Sequence, residues 1–228
     1  YSTATGYQAL NANTTGAYNT ATGYQSLYSN TTGSRNIGIG YRAMYATTTG
    51  GDNVANGYEA LRLNTTGGDN VAVGRATLWS NTTGTYNIAV GNYALYNHTT
   101  GQRNTALGDN ALRTTTTGSY NTAVGKNALY ANTTGAGNTA VGDVASYSNT
   151  TGISNVAVGR NSLNANSTGS NNTAIGRNAL SANTVSGNTA VGLSALGANT
   201  TGINNVAVGL ASNDSNTTGG NNTSTGYY

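Results

Sequence analysis

The sequence predicts an all-β chain: a parallel β-solenoid, or β-roll, of about thirteen 17-residue coils. Three observations carry this. First, Asn19, Asn36, Asn53, Asn70, Asn87, Asn104, Asn121, Asn138, Asn155 and Asn172 recur 17 residues apart; the step to Asn188 is 16, and Asn205 and Asn222 resume at 17. A fixed period of this length is the mark of stacked supersecondary units. Second, two positions of the unit are glycine almost without exception, which points to a backbone with φ > 0 or a very close approach at each. Third, a β-branched residue stands on either side of a small one, as in Val71-Ala72-Val73, which is the period-2 pattern of a strand.

Counting the recurring Asn as column 1, the unit reads N-[TVI]-A-[VI]-G-x-x-A-L-x-x-N-T-T-G-x-x. Columns 2 to 4 form a short strand, and the glycine of column 5, from Gly6 to Gly226, turns the chain. A second short extended piece follows and ends in column 9, which is Leu or Met except at Ser146 and Asn213. The Asn-Thr-Thr-Gly of columns 12 to 15 is turn chemistry, with Ser186 interrupting the glycine column beside the one-residue deletion. A helix is excluded, because columns 2, 4 and 9 make no 3.6-residue stripe and each mid-helix glycine costs about 1 kcal/mol. Stacked at ~4.8 Å per coil, thirteen coils would span roughly 60 Å. The repeats run through residues 1–228 as one repeat domain, with no separate cap or anchor.

Composition narrows the function. Of 228 residues 33 are Gly, 16 Tyr and none Pro, Cys or Phe, and only 7% are charged, for a net charge of +3. That excludes a disulfide scaffold and an ordinary enzyme-like core. It gives no dense basic stripe for nucleic acid, and no apolar run approaches the ~20 residues that would insert in a membrane. The pattern places columns 2, 4 and 9 inside and the small column 3 outside, against solvent or a partner chain. With so thin an interior, stacked Asn and Thr columns would supply hydrogen bonds along the axis, and self-association through the small-residue face would add burial.

The strings Asn70-Val71-Ala72-Val73-Gly74 and Asn155-Val156-Ala157-Val158-Gly159 resemble the head repeats of trimeric autotransporter adhesins and similar repeats in phage tail fibres. The resemblance covers the whole chain, although the unit here is longer than the adhesin-head unit. It implies a left-handed roll, assembly as a homotrimer, and an extracellular place on a cell or virion surface.

Catalysis finds little support. The acids Asp52, Glu59, Asp69, Asp109, Asp143 and Asp214 fall in several columns and make no paired carboxylates. Asp52, Glu59 and Asp69 are the one local cluster, read as a solvated rim rather than a cation site. His98 stands in the column-12 turn, and without cysteine the chain has no transition-metal ligand set, so neither a metal nor a cofactor is expected. Aromatic residues are the better signal. Column 10 runs Tyr28, Tyr45, Arg62, Trp79, Tyr96, Arg113, Tyr130 and Tyr147, a stripe of interface-rich residue types for a ligand or partner. The competing reading makes them ladder residues that cover the thin core. Asn13, Asn30, Asn64, Asn81, Asn132, Asn149, Asn199 and Asn216 each start an Asn-Thr-Thr sequon on a turn expected to be exposed, hence candidate glycosylation sites.

These readings converge on a structural, non-enzymatic fibre or adhesin shaft, with a surface-glycan-binding module as the alternative. An ice-binding solenoid ranks lower, because its face needs Thr at i and i+2 on one side of a strand, and in columns 2 and 4 this occurs only at Thr3/Thr5, Thr20/Thr22 and Thr223/Thr225. Both end coils keep the repeat register. The expectation is therefore a continuous filament, either as a segment of a longer shaft or by head-to-tail contact between Tyr1 of one subunit and Tyr227 and Tyr228 of another.

Overall fold

The structure is a computed structural model that describes residues 1–227; Tyr228 lies outside the described residues. The fold is a parallel β-solenoid of about thirteen coils of about 17 residues, with one three-residue strand per coil and no helix among the described residues. The chain divides into two compact units, Tyr1–Thr117 and Gly118–Tyr228. The first holds β1 (Thr3–Thr5) to β7 (Thr105–Leu107) and the second β8 (Thr122–Val124) to β14 (Thr223–Thr225). Within each unit the strands pair in chain order, parallel and in register, so that like stacks on like: Ala4 on Ala21, Ala72 on Ala89, Ala123 on Ala140.

The expected faces of the strand are reversed. Column 3 points inward: Ala21, Ala55, Ala72, Ala89, Ala123 and Ala157 are fully buried, while Ile37, Ile39, Ile88 and Val90 on either side are 39–43% exposed. The cross-section explains why. Gly38 is the one glycine of column 3, and a Cβ added there would stand 2.7 Å from the Ser26 hydroxyl and 3.3 Å from Leu27 Cγ. The coil is so narrow that only a methyl group fits between the strand and columns 8 and 9. Column 9 is inside as expected, with Leu27, Leu61, Leu95, Leu129 and Leu180 fully buried. The typical coil therefore fills its interior with Ala from columns 3 and 8, one Leu and two Asn, with Ser or Thr replacing the column-8 Ala in some coils, as at Ser26, Thr77 and Ser162.

The sequence predicts an extended segment between the glycine turn and the leucine; the structure overturns this. The segment is a run of turns in which columns 7 and 9 take left-handed backbone, for example Arg42 at φ 51° and Met44 at φ 52°. Column 17 does the same, as at Arg35 (φ 60°). These conformations are uncommon for non-glycine residues and costly for β-branched ones. They persist because the N–H of each is bonded to the coil above or below: Arg42 N to Tyr24 O (2.9 Å), Met44 N to Ala60 O (2.9 Å) and Arg35 N to Ala17 O (2.9 Å).

The two glycine columns serve different ends. In column 5, Gly125 has φ +132° and a Cβ there would meet the Gly142 carbonyl oxygen at 2.5 Å. In column 15, Gly135 has no positive φ, yet its Cβ position would also meet a carbonyl of the adjacent coil, Gly152 O, at 2.5 Å. At the deletion the structure puts Val185, not Ser186, in the glycine place: its carbonyl accepts from Asn172 Nδ2 (2.8 Å) and Asn183 Nδ2 (2.7 Å). Ser186 falls in column 16, where its hydroxyl accepts from Ser170 N at 2.9 Å.

Candidate functional site

Two asparagine ladders line the interior. In column 1, Asn36 Oδ1 accepts the backbone N–H of Asn53 (3.0 Å) and its Nδ2 (3.1 Å), while Asn36 Nδ2 donates to Gly50 O at 2.8 Å. In column 12, Asn30 Nδ2 donates to Asn13 Oδ1 (2.8 Å) and to Gly33 O (3.0 Å). The Gly33 carbonyl also takes Asn19 Nδ2 at 2.8 Å, so one oxygen satisfies two buried amides. A third ladder lies nearer the surface, where the Thr31 hydroxyl donates to Thr48 O (3.1 Å) and the Thr65 hydroxyl to Thr82 O (3.0 Å). Buried polar groups need partners, and the repeat supplies them from the neighbouring coil.

This corrects the reading of the sequons as exposed. Asn30, Asn64, Asn81, Asn132, Asn149 and Asn199 are fully buried, and Asn13 and Asn216 half-buried. Their Nδ2 groups are engaged, as Asn81 with Asn64 Oδ1 (2.8 Å) and Gly84 O (3.1 Å) or Asn216 with Gly219 O (2.9 Å). A glycan on any of the six buried amides would have to break these bonds and enter the core.

His98 replaces asparagine in that ladder and is fully buried. Its Nε2 takes the amide's place by donating to Gly101 O at 2.8 Å, which fixes the tautomer. Its Nδ1 is then a bare acceptor with no partner, and Asn81 Oδ1, which would have received an amide from an asparagine there, has none either. Burial pushes the imidazole pKa down to about 4.

Column 10 forms stacked ladders. Tyr28 stacks on Tyr45 (5.2 Å, 5°), Trp79 on Tyr96 (5.5 Å, 21°) and Tyr130 on Tyr147 (5.1 Å, 8°). Arg62 lies over the Trp79 ring (5.3 Å), and Arg113 over Tyr93 (5.4 Å) and Tyr96 (5.9 Å). All eight column-10 residues are half-buried. Column 6 carries a more exposed ladder, Tyr7, Tyr24, Tyr41 and Tyr58, with centroids 5.3, 5.3 and 5.1 Å apart. Arg42 links the two, its guanidinium 5.2 Å from the Tyr41 ring and 5.3 Å from the Tyr45 ring. Ring faces along both ladders are thus largely turned to their neighbours, so a ligand meets edges and phenolic hydroxyls. Sequence reasoning put the stripe in column 10; the more accessible ladder is in column 6, whose run of four tyrosines was its signal.

The acids do not converge. Asp52 pairs with Arg35 of the preceding coil, whose guanidinium hydrogen bond holds the carboxyl below its ordinary range. Glu59 instead contacts Arg62 Nε (3.3 Å) and accepts from Trp79 Nε1 (3.1 Å). Among the described residues no cluster of three metal-ligating side chains occurs. A cleft of about 320 Å³ is lined by Ala211, Asn213, Asp214, Ser215 and Ser224, where Asn213 takes the core leucine place and Asp214 is the one ionisable lining residue. Tyr1 stacks on Tyr18 of its own chain (6.4 Å) and Tyr227 is 64% exposed; Tyr228 lies outside the described residues.

No protein-family model matches the chain, and no curated protein or solved structure matches it either.

Proposed function

We propose that the chain is a structural, non-enzymatic shaft of an extracellular fibre or adhesin, and that copies associate through the outward strand face. One observation carries this reading. Columns 2 and 4 supply 28 outward positions on fourteen strands; none is charged, and all but Asn56 are Val, Ile, Leu or Thr. Sixteen of them are Val, Ile or Leu, and exposed apolar surface gathered on one strand face marks an interaction site. Charges such as Arg75, Asp109, Lys126 and Arg160 are instead placed in column 6, beyond the glycine turn. The self-association expected of the small-residue face moves to the β-branched face, because the alanines are spent on the core.

Sedimentation of the wild-type chain against Val71→Lys/Val73→Lys tests this. The expected result is a multimer for the wild type and a monomer with unchanged circular dichroism for the variant. Thr66→Lys/Thr83→Lys, at exposed turn positions, should assemble normally. A wild-type chain that stays monomeric at high concentration would overturn the reading.

A second reading gains from the same face. With columns 2 and 4 outward, Thr3/Thr5 and Thr20/Thr22 of the first unit stand at i and i+2 on its outward face, the spacing an ice-binding face needs. Thermal hysteresis that Thr20→Lys abolishes would favour it over assembly. Glycan binding draws less support, since it would have to use ring edges rather than faces.

A further inference from the structure

We propose that the column-6 tyrosines, Tyr7, Tyr24, Tyr41 and Tyr58, are a site of oxidative cross-linking that joins successive coils of one chain as dityrosine. The inference concerns rings within a single chain and is independent of whether chains assemble.

Four near-parallel phenols rise from equivalent positions of successive coils, with centroids 5.1–5.3 Å apart and planes within 15° of one another. Equivalent backbone positions on successive coils place each ring beside the next. The rings are also reachable, from 37% exposed at Tyr41 to 63% at Tyr7. Phenols held next to one another on adjacent coils need only a small ring movement to couple, so the reaction escapes most of the entropy cost of bringing two rings together.

The chemistry balances with hydrogen peroxide as oxidant and a haem peroxidase as its activator. Each of two phenols loses one electron and one proton, giving two phenoxyl radicals. An ortho C–C bond forms between them, and both rings recover aromaticity as their ortho hydrogens move to the oxygens. The two electrons and two protons reduce one peroxide to two waters. The product is a covalent tie across a 17-residue loop, which restricts the unfolded chain as other cross-links do. It would reinforce a stack otherwise held by hydrogen bonds.

Tyr86 is a natural comparison: 53% exposed, it lies against the Arg103 guanidinium (5.5 Å) rather than a ring. The tryptic map suits the test, because Tyr41 is the sole tyrosine of peptide 36–42, and Tyr24 and Tyr58 fall in 1–35 and 43–62.

Dilute full-length chain is treated with peroxidase and limiting peroxide, digested, and mapped by mass spectrometry. The expected result is peptide 36–42 joined to 1–35 or 43–62 in material that still runs as a single chain on a denaturing gel, with Tyr86 unmodified and the melting temperature raised by several degrees. Tyr24→Phe/Tyr58→Phe keeps the stack but removes the phenols beside Tyr41, so joined 36–42 should disappear while the fold is retained. Joined 36–42 that persists in this variant would overturn the proposal. So would cross-links found only between chains, or no biphenol in the wild type.

Discussion

The two units share an interior and differ in what they show to solvent. In Tyr1–Thr117 and in Gly118–Tyr228 alike, the coil is filled by buried Ala of columns 3 and 8, Leu of column 9 and paired asparagines. Outside, eleven of the sixteen tyrosines and the one tryptophan belong to the first unit, and the second carries mainly Thr, Ser and Asn. Two surfaces on one interior teach that the fold does not depend on the aromatic ladders. Those ladders are therefore free to report on what the molecule does.

The largest effect should come from the shared interior. Leu95→Asp in the first unit and Leu180→Asp in the second place a carboxylate in a fully buried site without a partner. Each should cost several kcal/mol, enough to unfold the affected coils. Val90→Asp, five residues before Leu95, is 39% exposed and should leave the monomer close to its parent melting temperature. Circular dichroism melts check this, and equal losses for Leu95→Asp and Val90→Asp would contradict the orientation of the strand.

Next come the glycines. Gly125→Val meets both a strained φ and the Gly142 carbonyl, whereas Gly137 (φ +67°) has nothing closer than the Ser154 hydroxyl at 3.7 Å. Gly137→Val should cost about 1–2 kcal/mol for the left-handed backbone alone, and Gly125→Val clearly more. Urea midpoints of the two variants measure the difference.

Much of this was legible in the sequence, and the part that was not has a physical reason. Period, register, the glycine turn and the buried leucine all follow from residue type at fixed spacing. The faces of the strand do not. Alternation around Ala72 says that Val71 and Val73 point opposite to it, but not which side is inside; rank by hydrophobicity favours valine. Steric space decides instead, and the contact of Gly38 with Ser26 and Leu27 becomes visible only once the coil is closed. The left-handed turns at Arg42 and Met44 carry no residue signal either, because arginine and methionine have no preference for that region and the neighbouring coils impose it. The sequons misled for a related reason: Asn30 and Asn81 have turn chemistry in sequence, but the turn folds its amide inward.

His98, in the first unit, interrupts the column-12 asparagine ladder. Its folded pKa of about 4 lies below the ordinary 6.5 of an imidazole, because burial disfavours the cation. Neutral His98 is therefore fully accommodated above pH 6.5. As pH falls from 6.5 towards 4 the unfolded chain binds the proton first, and stability drops by up to an amount on the order of 3 kcal/mol. His98→Asn should remove that dependence and return an amide to Asn81 Oδ1. The difference between the urea stabilities of the two proteins, followed from pH 7 to pH 4, isolates this contribution from the carboxylates common to both. A difference that stays constant across the window would show that the folded ladder does not lower the imidazole pKa.

The smallest effect is expected from the surface that distinguishes the units. Tyr24→Ser removes a ring that stacks on Tyr7 at 5.3 Å and on Tyr41 at 5.3 Å, but nothing in the interior depends on it. An aromatic pair adds about 0.5–1.5 kcal/mol beyond its area, and on a rim 41% exposed the loss should sit near the lower end per contact. Tyr147→Ser in the second unit loses one neighbour, Tyr130 at 5.1 Å, and should cost less still. Both variants should keep the parent circular dichroism and melt within a few degrees of it. A Tyr24→Ser chain that melts as early as Leu95→Asp would make the ladder a structural element equal to the leucine column. The first unit would then have a second core on its surface, and its tyrosines could no longer be taken as free for function.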